Sequence, residues 1–327
     1  MATTLDFQNM TQQEIYGLIT EIFDETVSKR DMDKWNLIFQ EMPDQNQVYS
    51  YQMVPNVGNA QKTAEGADFA RSTFSEGHKK TAQQYKYTDS IVITDEMKRF
   101  TQKHYQILST PQKLLESMFD KIDQSKADII NNAYSTSFVD VWGATQDNTS
   151  ADAVALASDS HTVVTSGQSF GNIIYLGKTT GSGVPNPSLA REGIIAGRAM
   201  GAKFEDTVGV KSSVDLDTLL VHTDDEDQAM RLVYSRLIPG SANNDVNSSL
   251  GIKNVISWNR LTSGRWQLFD SANIYEAFQT NTALKPTLLP PASFIENADM
   301  IAKIQTYYGL LPKYLKYMYF SKGTNAA

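Results

Sequence analysis

The segment from Val48 to Thr94 constrains this chain most, because it holds two strand-like runs separated by a long polar stretch. The runs are VYSYQMV, which begins at Val48, and YKYTDSIVIT, which begins at Tyr85. The stretch GNAQKTAEGADFARSTFSEGHKK lies between them, and it offers few apolar side chains to a core. A hairpin of this kind is costly to order alone. We therefore predict an arm that projects from the fold and lies on another molecule; the alternative is a functional loop without fixed structure.

A short amphipathic helix is predicted near the N-terminus. Thr11 and Glu14 form a capping box. Apolar side chains then recur at helical spacing, at Ile15, Leu18, Ile19, Ile22 and Phe23. This stripe needs a partner, which is either the rest of the same chain or a neighbouring copy.

A long helix follows the segment 95–108. Thr110 is suited to the N-cap and Pro111 to the first helical position, where a missing N–H costs nothing. The helix is predicted to continue to about Tyr134. Its apolar stripe comprises Leu114, Leu115, Met118, Ile122, Ile129 and Ala133. The opposite, solvated face comprises Lys113, Glu116, Asp120, Asp123 and Lys126.

The middle of the chain mixes loops, helices and strands. Residues 143–187 are rich in Gly, Ser, Thr and Asn and are predicted as loops around one strand. Asn186 and Pro187 are suited to starting a helix whose small residues, within LAREGIIAGRAMG, allow close packing. TLLVHT is predicted as a buried strand that runs into a second capping box, Thr223 with Glu226, and a helix over 224–238.

Strands dominate the last part of the sequence. NVISWNRL and RWQLFDS flank the turn 262–264. The proline-punctuated LKPTLLPPA is interpreted as a connection, and KIQTYYGLLPKYLKYMYFSKG as a tyrosine-rich strand pair that must be covered by something. Strands mixed with helices in this order predict an α+β architecture.

Composition excludes several classes of protein. The chain of 327 residues contains no cysteine, so disulfides, thiolate zinc sites and cysteine nucleophiles are ruled out. No secretion signal and no membrane span are predicted, because the start lacks a basic and apolar leader and no long apolar run occurs. The net charge of −8 has the wrong sign for a protein whose main task is to bind nucleic acid.

No motif in the sequence meets the requirements of a catalytic, cofactor or metal site. The run Gly171–Thr179 has an apolar middle where a phosphate loop needs exposed N–H groups. The four histidines are too far apart in the chain to form a metal pair on one helix, and His161 is expected to be a loop or buried, hydrogen-bonded side chain. The aspartates of 215–227 fail the calcium-loop pattern, because Leu219 stands where an oxygen ligand is required. The late run of lysines and tyrosines could meet nucleic acid, but a strand with a solvated face is the commoner cause.

Four stretches resemble a known family. They are ALASDSHTVVTSGQSFGN, which contains His161 and Asn172, DTLLVHTDDEDQAMRLVYS, NSSLGIKNVISWNRLTSGRWQLFDS and EGADFARSTFSEGHKKTAQQYKYTDSIVITDEM. Together with the order of elements, they resemble the major capsid proteins of tailed bacteriophages with the Hong Kong 97-type (HK97-like) fold. The resemblance extends over nearly the whole chain.

The resemblance implies a division of the chain and a structural function. The implied parts are an N-terminal arm (1–47), an extended hairpin loop (48–94), a peripheral domain with the spine helix (95–150 and 286–327) and an axial domain (151–285). The implied function is a major head protein with no catalytic activity and no cofactor. It would form hexamer and pentamer capsomers of an icosahedral virion capsid, assembled in the host cytoplasm around phage DNA.

Partners follow from the same resemblance. The first partner is the chain itself, followed by a scaffolding protein, a portal and decoration proteins, with packaged DNA contacted weakly and without sequence specificity. No membrane is involved. The alternative within this fold is an encapsulin-like nanocompartment shell protein. From other classes, an α+β hydrolase or an adhesive module stays open, and a monomer or a small discrete oligomer would favour these.

Six side chains are predicted to lie between copies, because they are apolar and stand on elements without an evident core. They are Ile15, Ile19, Phe23, Tyr51, Phe69 and Phe74. Some relatives cross-link a loop lysine to an asparagine. Lys62, Lys79 and Lys80 lie in the corresponding loop, but the sequence offers no activating acid, so no cross-link is predicted.

Overall fold

The architecture is that of a computed structural model, which describes most of the chain. The described residues are 12–30, 34–54, 62–69, 71, 76–100, 104–163, 169–177, 183–205, 214–235, 237, 247, 251–293 and 300–323. Helices in these ranges are Gln12–Arg30 (α1), Asp95–Arg99 (α2), His104–Asn131 (α3), Arg191–Ala202 (α4) and Glu226–Tyr234 (α5).

Strands are more numerous and many are short. They are Phe39–Met42 (β1), Val48–Gln52 (β2), Lys79–Gln83 (β3), Tyr85–Ile93 (β4), Ser137–Val139 (β5), Thr145–Asp147 (β6), His161–Thr162 (β7), Ser169–Phe170 (β8), Tyr175–Leu176 (β9), Val184–Pro185 (β10), Thr218–Val221 (β11), Asn254–Ser257 (β12), Trp266–Phe269 (β13), Phe278–Ser293 (β14), Met300–Pro312 (β15) and Met318–Ser321 (β16). The predicted α+β class is confirmed.

The first sheet has the strand order β1-β14-β15-β4, in which only β1 and β14 are parallel. The proline-rich stretch LKPTLLPPA lies within the long strand β14. Its interpretation as a connection is therefore wrong. The ladder between β14 and β15 shifts register between Leu284 and Thr287, around Pro286. A proline cannot donate a ladder hydrogen bond and is accommodated where such an irregularity interrupts the pairing.

Helices α1 and α3 cover one face of this sheet. Ile15, Ile19 and Phe23 are buried in a core that they share with Leu115 of α3 and Ile304 of β15. The apolar stripe of α1 is therefore satisfied by the same chain, and these three residues are corrected from intersubunit to core positions. Their premise fails because α1 has a core to pack against.

Helix α3 begins seven residues earlier than predicted and passes through position 111 without a break. The capping role of Thr110 is therefore wrong. The predicted apolar stripe, by contrast, is buried from Leu114 to Ala133. Lys126 departs from its predicted solvated face: it is buried, with its Nζ 5.8 Å from the ring centre of Phe39.

The second sheet has the order β12-β11-β13-β16. Helices α4 and α5 pack on one face, and the C-terminal end of α3 packs on the other through a core that includes Ile130, Leu220 and Phe269. The runs predicted to flank the turn 262–264 are not partners, because β11 lies between β12 and β13. The two C-terminal strands also separate, β15 into the first sheet and β16 into the second, although both are largely buried as expected.

Two helix starts differ from prediction. Helix α4 begins at Arg191, not at Pro187, because Asn186 has a φ of 55° and lies in a turn. The Asn186 Oδ1 accepts hydrogen bonds from Tyr134 Oη (2.7 Å) and Lys322 N (3.1 Å). Close packing of α4 is as predicted: a Cβ on Gly197 would lie 2.7 Å from Leu268 Cδ1. A 3-10 turn, Thr223–Asp225, precedes α5, and its capping side chain is His222 instead of Thr223: the His222 Nδ1 accepts from Asp224 N at 3.0 Å.

Candidate assembly surfaces

The hairpin formed by β2 and β3 differs from the predicted pairing. Val48 pairs with Gln83 and Gln52 with Lys79, whereas β4 leaves the hairpin and pairs with β15 in the first sheet. A single residue, Gln84, separates β3 from β4. The second predicted run belongs to the first sheet. Its alternate side chains, Tyr87 and Ile91 among them, pack on the core that α1 and α3 form with that sheet.

Gln84 fixes the root of the hairpin. Its side chain is only 3% exposed. The Nε2 donates to the carbonyls of Asp44 (2.7 Å) and Asn46 (3.0 Å), and the Oε1 accepts from Ala283 N (2.8 Å). One amide thus joins the β1–β2 connection, the hairpin and β14.

A glycine lets the hairpin cross β15 at the same place. A Cβ on Gly309 would lie 2.7 Å from Tyr49 Oη and 2.9 Å from the carbonyl oxygen of Gln83. Any side chain at this position would therefore push the hairpin away from the sheet.

Lys80 attaches β3 to the segment after β6. Its Nζ donates to the carbonyl and hydroxyl of Thr149 and lies 3.2 Å from Asp147 Oδ2. Burial lowers the pKa of Lys80, and Asp147 opposes that shift. Although burial alone would raise it, the pKa of Asp147 is lowered because Lys80 and Thr149 stabilise its carboxylate. Lys80 is therefore a structural side chain within its own chain.

Tyr51, a predicted interface residue, lies partly buried against the body of the same chain. It packs on a small cluster of Met53, Ala151 and Tyr314. The Lys313 Nζ is 5.6 Å from its ring centre. Burial, followed by the charge of Glu276, raises the pKa of Tyr51 to about 12.

Phe69 is placed very differently. It is 92% exposed and follows a turn in which Ala67 N donates to the carbonyl of Ala64. Glu65 lies within that turn and Asp68 directly precedes the phenyl ring. A large aromatic side chain this exposed marks a contact surface. Phe74, the sixth predicted interface residue, lies outside the described residues.

The loop that contains His161 and Asn172 forms a buried polar network. Asp152 Oδ2 accepts from His161 Nδ1 (2.8 Å) and from Thr162 N (3.1 Å). The Asn172 amide donates to the carbonyls of Leu156 (2.7 Å) and Leu315 (3.3 Å) and accepts from Ser158 N (2.9 Å). His161 is fully buried, as expected. This network supports the surface on which the hairpin lies, since His78 Nε2 is 3.1 Å from the carbonyl of Thr162.

An open cleft of about 540 Å³ lies beside the root of the hairpin. Its lining includes Tyr85, Lys86, Leu284 and Tyr307, with glutamines and Asn46 around them. The Lys86 Nζ is 5.9 Å from the ring centre of Tyr307. The sequence did not reveal this cleft, because its residues come from four separate segments that only the sheet register brings together.

The cleft continues onto an open sheet surface, here called the outer face, which points away from α1 and α3. It consists of alternate side chains of β4 and β15 with their partners on β14: Lys86, Thr88, Ser90, Val92, Ile301, Lys303, Gln305, Tyr307, Leu284 and Leu289. Lys86 and Lys303 are its charged members, and these described positions include no acid.

Neither a metal-binding cluster nor a membrane-spanning helix occurs in the part of the chain that the structure describes. No cluster of three or more histidine, aspartate or glutamate side chains there is arranged to hold a metal ion. None of the helices described above combines the length and hydropathy needed to span a bilayer.

Comparisons with known structures agree with this architecture. The capsid of cyanophage P-SCSP1u matches with a TM-score of 0.50 and 10% identity, over 88% of this chain and 87% of that chain. The capsid of the empty GTA particle (TM-score 0.47, 9% identity, 88% of each chain) and the virus-like particle from Pyrococcus furiosus (0.46, 10%, 94% of this chain and 98% of that one) are also similar. The match to the cyanophage capsid, with its TM-score of 0.50, assigns the fold to the Hong Kong 97-type capsid fold.

Sequence comparison gives the family. A search among curated proteins finds no match. The family model described as "Phage capsid protein" matches residues 79–314, from the first residue of β3 to beyond the end of β15. This match covers well over half of the sequence, and the chain therefore belongs to the phage capsid protein family, as a structural subunit of the virion shell.

Proposed function

We propose that this chain is the sole building block of the continuous shell of a tailed-phage head, where it forms hexamers and pentamers. The observation that carries the proposal is the family match over 79–314, which covers β3, the spine helix α3 and three of the four strands of each large sheet. In this assignment residues 1–47 are the N-terminal arm and 48–94 the extended loop. Residues 95–150 with 286–327 are the peripheral domain, and 151–285 are the axial domain.

The chain acts mechanically in this proposal, and no step of its function is catalytic. Each copy contributes large interfaces whose burial stabilises the assembled form over the isolated subunit. Tyr51 and Phe69 are proposed interface residues. Phe69 has the stronger support, because its side chain is almost fully exposed, whereas Tyr51 already contacts its own chain. Phe74 is retained as a proposal from its sequence position.

Further partners belong to this proposal. A scaffolding protein, a portal and decoration proteins would act with the chain during assembly in the host cytoplasm. The packaged DNA would be contacted weakly and without sequence specificity. A net charge of −8 supports weak contact, because an acidic chain repels phosphates overall.

Electron microscopy of the chain expressed with its genomic neighbours tests the proposal. Closed shells that contain nuclease-protected DNA are expected. Shells that enclose protein and no DNA would contradict the phage-head assignment and favour a nanocompartment. A stable monomer under all conditions would contradict a shell of either kind.

A further inference from the structure

One wall of the cleft at the root of the hairpin is made of amide side chains. Gln45, Asn46 and Gln47 follow one another in the connection between β1 and β2, and all three residues are exposed. An amide carries a hydrogen-bond donor and an acceptor side by side. This wall therefore offers several uncharged donors and acceptors to a ligand in the cleft.

Hydrogen bonds hold the amide wall in place. The Gln84 side chain donates to the carbonyl of Asn46 at 3.0 Å, and the Gln84 N donates to the carbonyl of Gln47 at 2.8 Å. The Asp44 Oδ1 accepts from the N (2.9 Å) and the Nδ2 (2.8 Å) of Asn46. Because the backbone of the wall is fixed before a ligand arrives, binding loses little conformational entropy.

The rest of the cleft is aromatic and apolar. Tyr85 is 47% exposed, Tyr307 is half-buried, and Leu284 lies between the same walls. Lys86 is the one charged side chain among the described residues of the lining, and its Nζ is 5.9 Å from the ring centre of Tyr307. The lining thus combines two aromatic rings with amides and carries little charge.

This composition indicates the chemical class of the ligand. Each hydroxyl of a sugar both donates and accepts, which matches neighbouring amides, and the C–H face of a sugar ring packs on an aromatic ring. A single lysine is too little charge to bind a nucleic acid, and a lining without carboxylates does not suit a calcium ion. The volume of about 540 Å³ is in the usual range for small-ligand sites.

We propose that this cleft binds a neutral saccharide of about two sugar rings. Tyr85 and Tyr307 pack against the rings, and Gln45 and Gln47 exchange hydrogen bonds with the hydroxyls. The site needs only one subunit, so it goes beyond the proposed function and does not depend on assembly. Because a single open site of this kind binds weakly, its effect in a shell comes from repetition over many copies.

Saturation-transfer NMR on the unassembled full-length chain tests the proposal, with maltose, cellobiose and N,N′-diacetylchitobiose as probes. At least one of these disaccharides is expected to receive saturation from the protein, with a dissociation constant of about 1 mM. The double variant Gln45→Ala and Gln47→Ala, which changes only exposed side chains, should weaken that binding about tenfold. Tyr307→Ala should weaken it by a similar factor of about ten.

Matched controls replace the same residue types outside the cleft. Tyr234→Ala, at a position of α5 that is 54% exposed, and the pair Gln13→Ala and Gln112→Ala, exposed on α1 and α3, should leave the affinity unchanged. The proposal is overturned if none of the three disaccharides receives saturation, or if the cleft variants bind as tightly as these controls. Saturation transfer to dextran sulfate alone would also overturn it, because the cleft would then be an anion site at Lys86.

Discussion

Buried amide side chains connect segments that are distant in the sequence. Asn172 is fully buried and joins the segment 156–158 to the connection before β16, and Gln84 joins the hairpin root to β14. A polar group in a core is tolerated only when its hydrogen bonds are made, and each of these amides makes three. Both residues therefore specify how loops meet, which hydrophobic contacts alone would leave loosely defined.

Asn172→Ala should destabilise the subunit, because it leaves the Ser158 N–H and two carbonyl groups without their partner. The expected loss is about 1–3 kcal/mol of unfolding free energy, measured by urea unfolding of unassembled protein. Asn259→Ala, at an exposed position, is the control and should stay within about 0.5 kcal/mol of the parent. A loss for Asn172→Ala no larger than the control's would show that the network contributes nothing to stability.

Asp217 makes the stability of the subunit depend on pH. Burial raises its pKa, but hydrogen bonds from Lys253, Ser271 and Thr218 outweigh burial, so the pKa of the folded protein lies below the usual value. The stability that the carboxylate contributes is then complete above the unfolded-state pKa of about 3.9. It is lost as the pH falls through the lower, folded-state pKa.

Asp217→Asn should therefore destabilise the subunit most near neutral pH, and the difference from the parent should shrink in the acid range. Urea unfolding at a series of pH values measures that difference directly and cancels the contributions of other carboxyl groups. A difference that stays constant down to pH values of about 2 would contradict the role of the carboxylate.

At the scale of elements, the sequence predicted faces better than boundaries. The stripes of α1 and α3 follow from apolar spacing and were found buried, whereas the start of α3 was misplaced because Thr110 and Pro111 imitate a capping pair. The pairing of β4 was missed for a different reason. Both predicted strands of the hairpin have acceptable patterns, and only contacts with β15, more than 200 positions later, decide between them.

The candidate assembly surfaces were also predictable only in part. An exposed, weakly cored loop was predictable from composition, and Phe69 fits that prediction. The cleft was not, because Tyr85, Leu284 and Tyr307 come together only through strand register. The roles of Gln84 and Gly309 could not be predicted from the sequence either, because a lone glutamine or glycine in or between strands occurs for many structural reasons.

Helix α1 should stabilise the subunit before any assembly. Ile19→Ala removes a fully buried side chain and should cost about 2–5 kcal/mol of unfolding free energy in unassembled protein. The exposed Glu21→Ala on the same helix serves as the control. Unchanged stability combined with lost assembly would instead return Ile19 to the interface between copies.

The hairpin should loosen when Lys80 is shortened. Lys80→Ala removes hydrogen bonds to Thr149 and the ion pair with Asp147, which together hold β3 on the body. The local opening should become easier by about 2 kcal/mol, so chymotrypsin should cleave at Tyr49 and Tyr51 more than tenfold faster. Lys79→Ala, the exposed neighbour, should cleave at the parental rate. Equal rates for the two variants would count against the attachment.

At the scale of the whole molecule, two sheets share the C-terminal end of α3, which packs between them. The root of the hairpin is attached to this body by Gln84 and Lys80, while the side chain of Phe69 is exposed. A subunit built in this way has a stable interior of its own. Its exposed surfaces, the ring of Phe69 and the outer face, are those expected of a part that is completed by neighbouring copies.

Cryo-electron microscopy of the assembled chain tests this account most directly. We expect closed icosahedral particles in which the Phe69 side chain of each copy contacts an adjacent copy. A 36.4 kDa monomer that persists at every concentration, or particles in which Phe69 contacts only its own chain, would contradict it.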